Sequence, residues 1–250
     1  MSPYLWRTRN PGHVSRLICF PHAGAGAAAF TEWAGLLPPE IELVAVQLPG
    51  RQNRITEEPF TESGPLLGAL THALRPVLDH PFVFFGHSCG AEMAYELAKT
   101  LRSRGRRQPE HLFLSARAAP DAPRLPDLHT LPDAQFRAEL LALGGVDAEI
   151  AADEDVVAAL LPLLRVDFGL WERHRPTPAP PLDVPITVLR GATDPRATEL
   201  AVRGWAAHTT AGCTTRTYPG GHFYHLDSTA DVVSFIARTT LTHARNRRSA

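Results

Sequence analysis

Ser88 stands at the centre of Gly86-His87-Ser88-Cys89-Gly90. The apolar run Phe82-Val83-Phe84-Phe85 precedes it. Ala94, Leu97, Ala98 and Leu101 follow at helical spacing. A serine in Gly-x-Ser-x-Gly at a strand-to-helix junction has the setting of a nucleophile elbow. The turn is too tight for side chains at 86 and 90. It lifts the hydroxyl above the N-terminus of the next helix, whose partial positive charge favours a developing anion. A Gly-rich turn that happens to hold a serine is the plainer alternative, and the flanking strand and helix argue against it.

A serine hydroxyl is a weak nucleophile until an imidazole takes its proton and a carboxylate orients that imidazole. Asp194 lies in Gly191-Ala192-Thr193-Asp194-Pro195, directly after the apolar run Ile186-Thr187-Val188-Leu189. His222 lies in Pro219-Gly220-Gly221-His222-Phe223, directly after the strand-like Thr214 to Tyr218. Ser, acid, His is the chain order of α/β-hydrolases. Each partner has rivals. The chain holds 12 histidines, and His225 competes most closely. Asp194 could simply form a turn with Pro195. Asp167 falls on a predicted helix and Asp183 in a connector, so Asp194 is favoured. Two backbone N–H donors must meet the oxyanion. Cys89, after the nucleophile, supplies one, and Ala23 of Pro21-His22-Ala23-Gly24 supplies the other. Cys89 is otherwise a small buried residue whose thiol has no part in the chemistry. His22 either lines the site or packs beside it.

The elements that must position these residues alternate along the chain. Leu17-Ile18-Cys19-Phe20, Leu43-Val44-Ala45-Val46, the elbow strand, Leu112-Phe113-Leu114 and Ile186 to Leu189 are continuous apolar runs. Helical patterns fill 27–37, 62–79, 198–208 and 232–241. Such runs predict an α/β fold, a mostly parallel sheet covered by helices on both faces. Catalytic loops then gather at the carboxyl ends of the strands. Residues 1–13 read as a loose arm and 243–250 as a disordered basic tail.

Between about 121 and 182 the rhythm changes. Pro132 to Leu143 reads as a helix ended by Gly144-Gly145. A second begins at Asp153-Glu154-Asp155, acidic at its positive end, and carries Pro162, which should kink it. A Pro-rich connector, Pro176 to Pro185, follows. The expectation is one domain over residues 1–250 with a helical lid insertion at 121–182. An ordinary surface helical pair is the alternative.

At 250 residues, 44% hydrophobic and 20% charged, the chain has room for a substantial core. A net charge of −1 gives no electrostatic case for nucleic acid or an anionic membrane. No window approaches a membrane span, and residues 1–11 carry no signal core. The three cysteines lack metal-ligand spacing, so the simplest reading is a reduced cytoplasmic protein. No exposed apolar stripe stands out, which points to a monomer. Gly24-Ala25-Gly26-Ala27-Ala28-Ala29 imitates a dinucleotide fingerprint. The acid expected at the end of the second strand is missing, where Gln47 and Leu48 stand. No His-Glu-x-x-His occurs and no cysteine accompanies His222 and His225, so no metal site is expected.

Read together, the motifs resemble the type II thioesterases of polyketide and non-ribosomal peptide synthesis, across nearly the whole chain. The resemblance rests on Phe20-Pro21-His22-Ala23-Gly24, Gln47-Leu48-Pro49-Gly50-Arg51, Phe84 to Ser88, Ser115-Ala116-Arg117, Leu143-Gly144-Gly145, Asp167-Phe168, Asp194-Pro195 and Gly220 to Phe223. Two departures are Cys89, where that family usually has Met, and Ala25, where a second Gly is usual. The resemblance implies an α/β-hydrolase fold with a helical lid. It implies hydrolysis of acyl groups from the phosphopantetheine arm of acyl or peptidyl carrier protein domains, clearing stalled or wrongly loaded units. No cofactor is needed, because the substrate carries the phosphopantetheine. Phe168 and Trp171 then either line the acyl channel or pack within the lid. An acyltransferase or carboxylesterase using the same residues is the runner-up, distinguished by its product.

Overall fold

The computed structural model describes residues 2–145 and 152–249, so residues 146–151 of the expected insertion lie outside it. Seven strands form one sheet: β1 (Leu5–Arg7), β2 (Ser15–Phe20), β3 (Ile41–Val46), β4 (Phe82–His87), β5 (Leu112–Ser115), β6 (Ile186–Gly191) and β7 (Cys213–Tyr218). Their order is β1-β3-β2-β4-β5-β6-β7, and every pairing is parallel except β1 on β3. The helices are α1 (Trp33–Leu36), α2 (Ser63–Leu74), α3 (Cys89–Ser103), α4 (Asp133–Leu143), α5 (Glu154–Arg173), α6 (Glu199–Arg203), α7 (Tyr224–Asp227) and α8 (Thr229–Ser249).

The alternation of side chains along a strand explains the continuous apolar runs. Ile18, Phe20, Phe82, Phe84 and Val188 bury one face under α2 and α3. Leu17, Cys19, Val83, Phe85 and Leu189 bury the other against Trp33, Val232, Val233 and Ile236. Both faces are covered, so no strand in the middle of the sheet has a polar side. Strand order reverses between β2 and β4. At such a switch point the loops after the two strands diverge and leave a crevice at their carboxyl ends.

The insertion has a small core of its own in Leu128, Phe136, Leu140 and Phe168. Glu172 anchors it. Its carboxylate accepts the backbone N–H groups of Leu128 and His129, each at 2.9 Å. His129 Nδ1 approaches the same carboxylate at 2.7 Å. From α5, Arg165 donates to the carbonyls of His129 at 2.5 Å and Leu131 at 2.8 Å. Asp153 caps α5 by accepting from the N–H groups of Asp155 and Val156. The helix runs from Glu154 to Arg173 through Pro162, forgoing the one hydrogen bond proline cannot donate.

Four expectations change. The N-terminal arm contributes β1, an edge strand held by backbone pairing and by Arg7 on Glu42 at 2.7 Å. The basic tail continues α8 to Ser249. Nothing from Thr229 onward breaks a helix, and Arg247 pairs with Glu110. The 27–37 segment splits into a 3-10 turn, Ala27–Phe30, and the short α1. Residues 198–208 likewise divide between α6 and a 3-10 turn.

Candidate active site

Ser88 joins β4 to α3 with φ 55° and ψ −118°, a conformation non-glycine residues rarely adopt. The elbow glycines are sterically required. A Cβ on Gly86 would run into the Gly90 carbonyl, and one on Gly90 into the Phe20 carbonyl of β2. The Ser88 N–H is held by the Ser115 carbonyl at 2.8 Å, which ties the strained turn to β5.

Three loops converge on the serine. His222 Nε2 lies 3.0 Å from Ser88 Oγ. His222 Nδ1 lies 3.0 Å from Asp194 Oδ2. Asp194 Oδ1 accepts the Arg196 N–H at 2.8 Å, so both carboxylate oxygens are engaged. The Asp194 side chain is fully buried and that of His222 is 3% exposed. With Nδ1–H donated to the carboxylate, Nε2 is free to accept the serine proton. Arranged this way, the three groups can pass a proton from Ser88 to a leaving group and stabilise the imidazolium in between.

None of the three sequence rivals reaches the serine in the same way. Asp167 is spent on Arg51 and the Gly24 N–H. Asp183 bonds Thr210. His225 packs against His87, with 4.1 Å between ring centroids and the ring planes tilted by 43°. His87 in turn meets Ser115 Oγ at 2.9 Å, and Ser115 Oγ meets the Tyr224 hydroxyl at 2.7 Å. His22 packs edge-on against Phe223, 4.9 Å away. Burial pushes its imidazole down to about 4, with His222 and Arg51 adding to the effect. Burial pushes the Cys89 thiol up to about 12, so it stays protonated at neutral pH. The backbone N–H groups of Ala23 and Cys89 meet no acceptor among the described residues.

Two cavities meet at Ser88 and His222. One, of about 120 Å³, is lined by charged groups, among them Glu92, Arg117, Glu172 and Arg196, with Trp171 in its wall. The other, of about 70 Å³, is apolar and walled by Leu140, Leu143, Leu164, Phe168 and Phe223, with His22 and Ala23 at its floor. Phe168 thus belongs both to the insertion's core and to a cavity wall. Trp171 is buried against the main core.

Ligating atoms of Glu92, Glu96 and His174 lie within 4.8 Å of one another. Their charge is already met. Arg117 sits on Glu92 at 2.7 Å, and Lys99 sits on Glu96 at 2.9 Å. No helix among the described residues is long and apolar enough to cross a membrane.

The sequence missed Arg51 and Asp167 as partners. The available signal was an acid among the apolar residues of α5, which burial obliges to find a cation. Of the two arginines that line the charged cavity, Arg117 stood only within the family resemblance and Arg196 carried no signal of its own.

Comparison with known proteins places these features in context. Residues 15–240 match the thioesterase domain family. The chain is 38% identical over 224 residues to the gramicidin S biosynthesis protein GrsT of Aneurinibacillus migulanus, spanning 89% of this chain and 88% of that protein. Among solved structures it is similar to the type II thioesterase BorB from the borrelidin biosynthetic cluster. That match has 37% identity and a TM-score of 0.86, over 95% of this chain and 97% of BorB. RedJ, the thioesterase of the prodiginine biosynthetic pathway in Streptomyces coelicolor, matches with 38% identity and a TM-score of 0.86 over 92% of each chain.

Proposed function

Because this chain belongs to the thioesterase domain family, we propose that it hydrolyses acyl thioesters on the phosphopantetheine arm of carrier proteins, removing stalled or wrongly loaded units during polyketide or non-ribosomal peptide synthesis. The observation that carries the reading is the hydrogen-bonded line from Ser88 through His222 to Asp194, with 3.0 Å at each step. In the proposed mechanism Ser88 Oγ attacks the thioester carbonyl as His222 Nε2 takes its proton. Asp194 holds the imidazole and stabilises its charge. The Ala23 and Cys89 N–H groups bind the oxyanion. Collapse of the tetrahedral intermediate breaks the C–S bond, and His222 returns the proton to the leaving pantetheine thiolate. Water then attacks the acyl-serine ester as His222 takes its proton, the acyl C–Oγ bond breaks as His222 returns that proton to Ser88 Oγ, and the free acid leaves. Every group these steps need is an amino-acid side chain or backbone N–H, so the reading invokes no resident cofactor.

The apolar cavity suits an acyl chain. The segment 121–182 is read as the lid over it, within one domain. A carrier protein domain of a synthase is the inferred partner, with the enzyme acting as a cytoplasmic monomer.

The experiment is to follow thiol release and free acid from a panel of acyl thioesters, both small-molecule and carrier-bound, alongside Ser88→Ala. Turnover that disappears in the variant supports the assignment. Full activity in the variant removes Ser88 from the mechanism. Acyl transfer to an alcohol or amine in place of free acid would make the enzyme a transferase.

A further inference from the structure

The insertion grips the loop after β2 at one buried point. Asp167, on α5, accepts the Gly24 N–H at 2.7 Å. The same carboxylate receives Arg51 Nη1 at 2.5 Å and Nη2 at 3.0 Å, a two-pronged pair. Arg51 Nε donates to the Pro49 carbonyl at 3.1 Å, which fixes the guanidinium to the turn after β3. The two side chains are 3% and 10% exposed. Gly24 has φ +75°, and a Cβ there would meet Leu164 Cδ2 of α5 at 2.7 Å. Helix α5 therefore lies directly on this loop, and the Asp167 carboxylate joins the two, with the Arg51 guanidinium bonded to it and to the Ala25 carbonyl at 3.4 Å.

The Gly24 N–H belongs to the planar peptide that joins Ala23 to Gly24. Holding that plane leaves the direction of the Ala23 N–H to the two backbone rotations of Ala23 itself. The same carboxylate, the guanidinium, Ala23 and Cys89 all border one narrow apolar gap beneath α5. Asp167 thus reaches the loop one peptide away from a donor assigned to the oxyanion, without touching the reacting atoms.

We propose that Asp167 is a positioning residue for the oxyanion donor: with Arg51 it clamps the Ala23–Gly24 peptide to α5, so that the insertion and the Ala23 N–H move as one body. The proposal rests on the reading of Ala23 as an oxyanion donor. A latch that only kept the insertion closed would act on substrate affinity and stability. A positioning pair acts on the transition state, because the donor matters most when negative charge has developed.

The test uses the full chain and two ligands with one acyl group: an acyl thioester and the corresponding trifluoromethyl ketone. The Ser88 oxygen adds to the ketone carbonyl, and the resulting hemiketal oxygen occupies the oxyanion position. In Asp167→Ala, kcat is expected to fall about 10- to 100-fold with KM held within about threefold, and ketone affinity should weaken by the factor lost in kcat/KM. Asp167→Asn, which keeps an acceptor for Gly24, should recover part of both. Arg51→Lys keeps the charge and loses the fork, and should lie between Asp167→Ala and wild type. It also carries the test if Asp167→Ala fails to fold. Variants that keep kcat and ketone affinity while KM rises or the melting temperature falls would reduce the pair to a latch and overturn the proposal. If wild type turns over no thioester, ketone affinity alone decides, since hemiketal formation at Ser88 depends on the donors and not on the leaving group.

Discussion

The imidazoles of His87 and His225 lie in contact with 4.1 Å between ring centroids and their planes tilted by 43°, and His87 Nε2 and His225 Nδ1 are buried without a hydrogen-bond partner among the described residues. Neither ring is paired with a carboxylate there. Burial, the neighbouring imidazoles adding to it, pushes His225 down to about 3 and His87 well below its ordinary value. His22 is held down to about 4. All three stay neutral in the folded protein while their unfolded counterparts take up protons near pH 6.5. Between about pH 4 and 6.5 the unfolded chain binds more protons, so stability rises with pH by about 1.4 kcal/mol per unit for each such histidine. The melting temperature should climb from about pH 4.5 to 6.5 and level off above it. His225→Gln should show a shallower acid limb. Thermal melts across that range check it, and a flat wild-type profile would contradict it.

Asp194 offers a sharper test of the proposed triad. Its Oδ2 faces His222 Nδ1, and its Oδ1 is taken by the Arg196 N–H. Asn at this position would keep the volume and lose the charge. It would also present an N–H to the imidazole in one orientation and favour the wrong tautomer. Asp194→Asn should lower kcat by roughly 10³- to 10⁴-fold with little change in melting temperature. Labelling of Ser88 by a fluorophosphonate should slow in parallel. A loss under about tenfold would remove Asp194 from the role.

What could be read in advance follows from burial. Strands β2 to β6 are covered on both faces, so they appear as unbroken apolar runs, and Ser88, Asp194 and His222 each follow such a strand or its neighbour at the sheet edge. Strand β1 leaves no such trace. Leu5-Trp6-Arg7 has Trp6 partly exposed, and the strand exists because its backbone pairs with β3. The end of α8 misleads in the opposite direction. Its arginines suggest a solvated tail, yet Ala244 is buried and Arg247 also donates to the Val14 carbonyl. The Arg51–Asp167 pair spans 116 positions, a distance at which spacing carries no information. An acid on the apolar face of α5 announces a partner without naming it.

The cysteines separate serine from thiol chemistry. Burial pushes Cys89 up to about 12 and Cys19 well above its ordinary value, whereas Cys213 is only partly buried. The thiolate is the reactive form. With iodoacetamide at about pH 8, Cys213 should be alkylated first, with turnover retained. Cys89 should react only as the protein unfolds. Peptide mapping against residual activity reads both. Rapid inactivation tracking alkylation of Cys89 would transfer the nucleophile to the thiol and refute the serine mechanism.

Phe168 tests whether the apolar cavity receives the acyl chain. It stands edge-on to Phe136 at 5.8 Å in the insertion's core and also forms part of the wall next to Ser88. Truncation therefore has two effects that can be separated. Loss of core packing in Phe168→Ala should cost about 3 kcal/mol and appear in the melting temperature. The space released adjoins the site. If acyl chains enter it, each added methylene buried there is worth about 0.8 kcal/mol, close to a fourfold gain in kcat/KM per carbon. The ratio of kcat/KM for chains two carbons longer than the wild-type optimum should rise by about 15-fold. Saturation of a longer series would then mark the depth of the enlarged cavity. A variant that melts earlier with an unchanged chain-length profile would leave Phe168 with packing alone, and would require the acyl group to lie in the charged cavity beside Arg117 and Arg196.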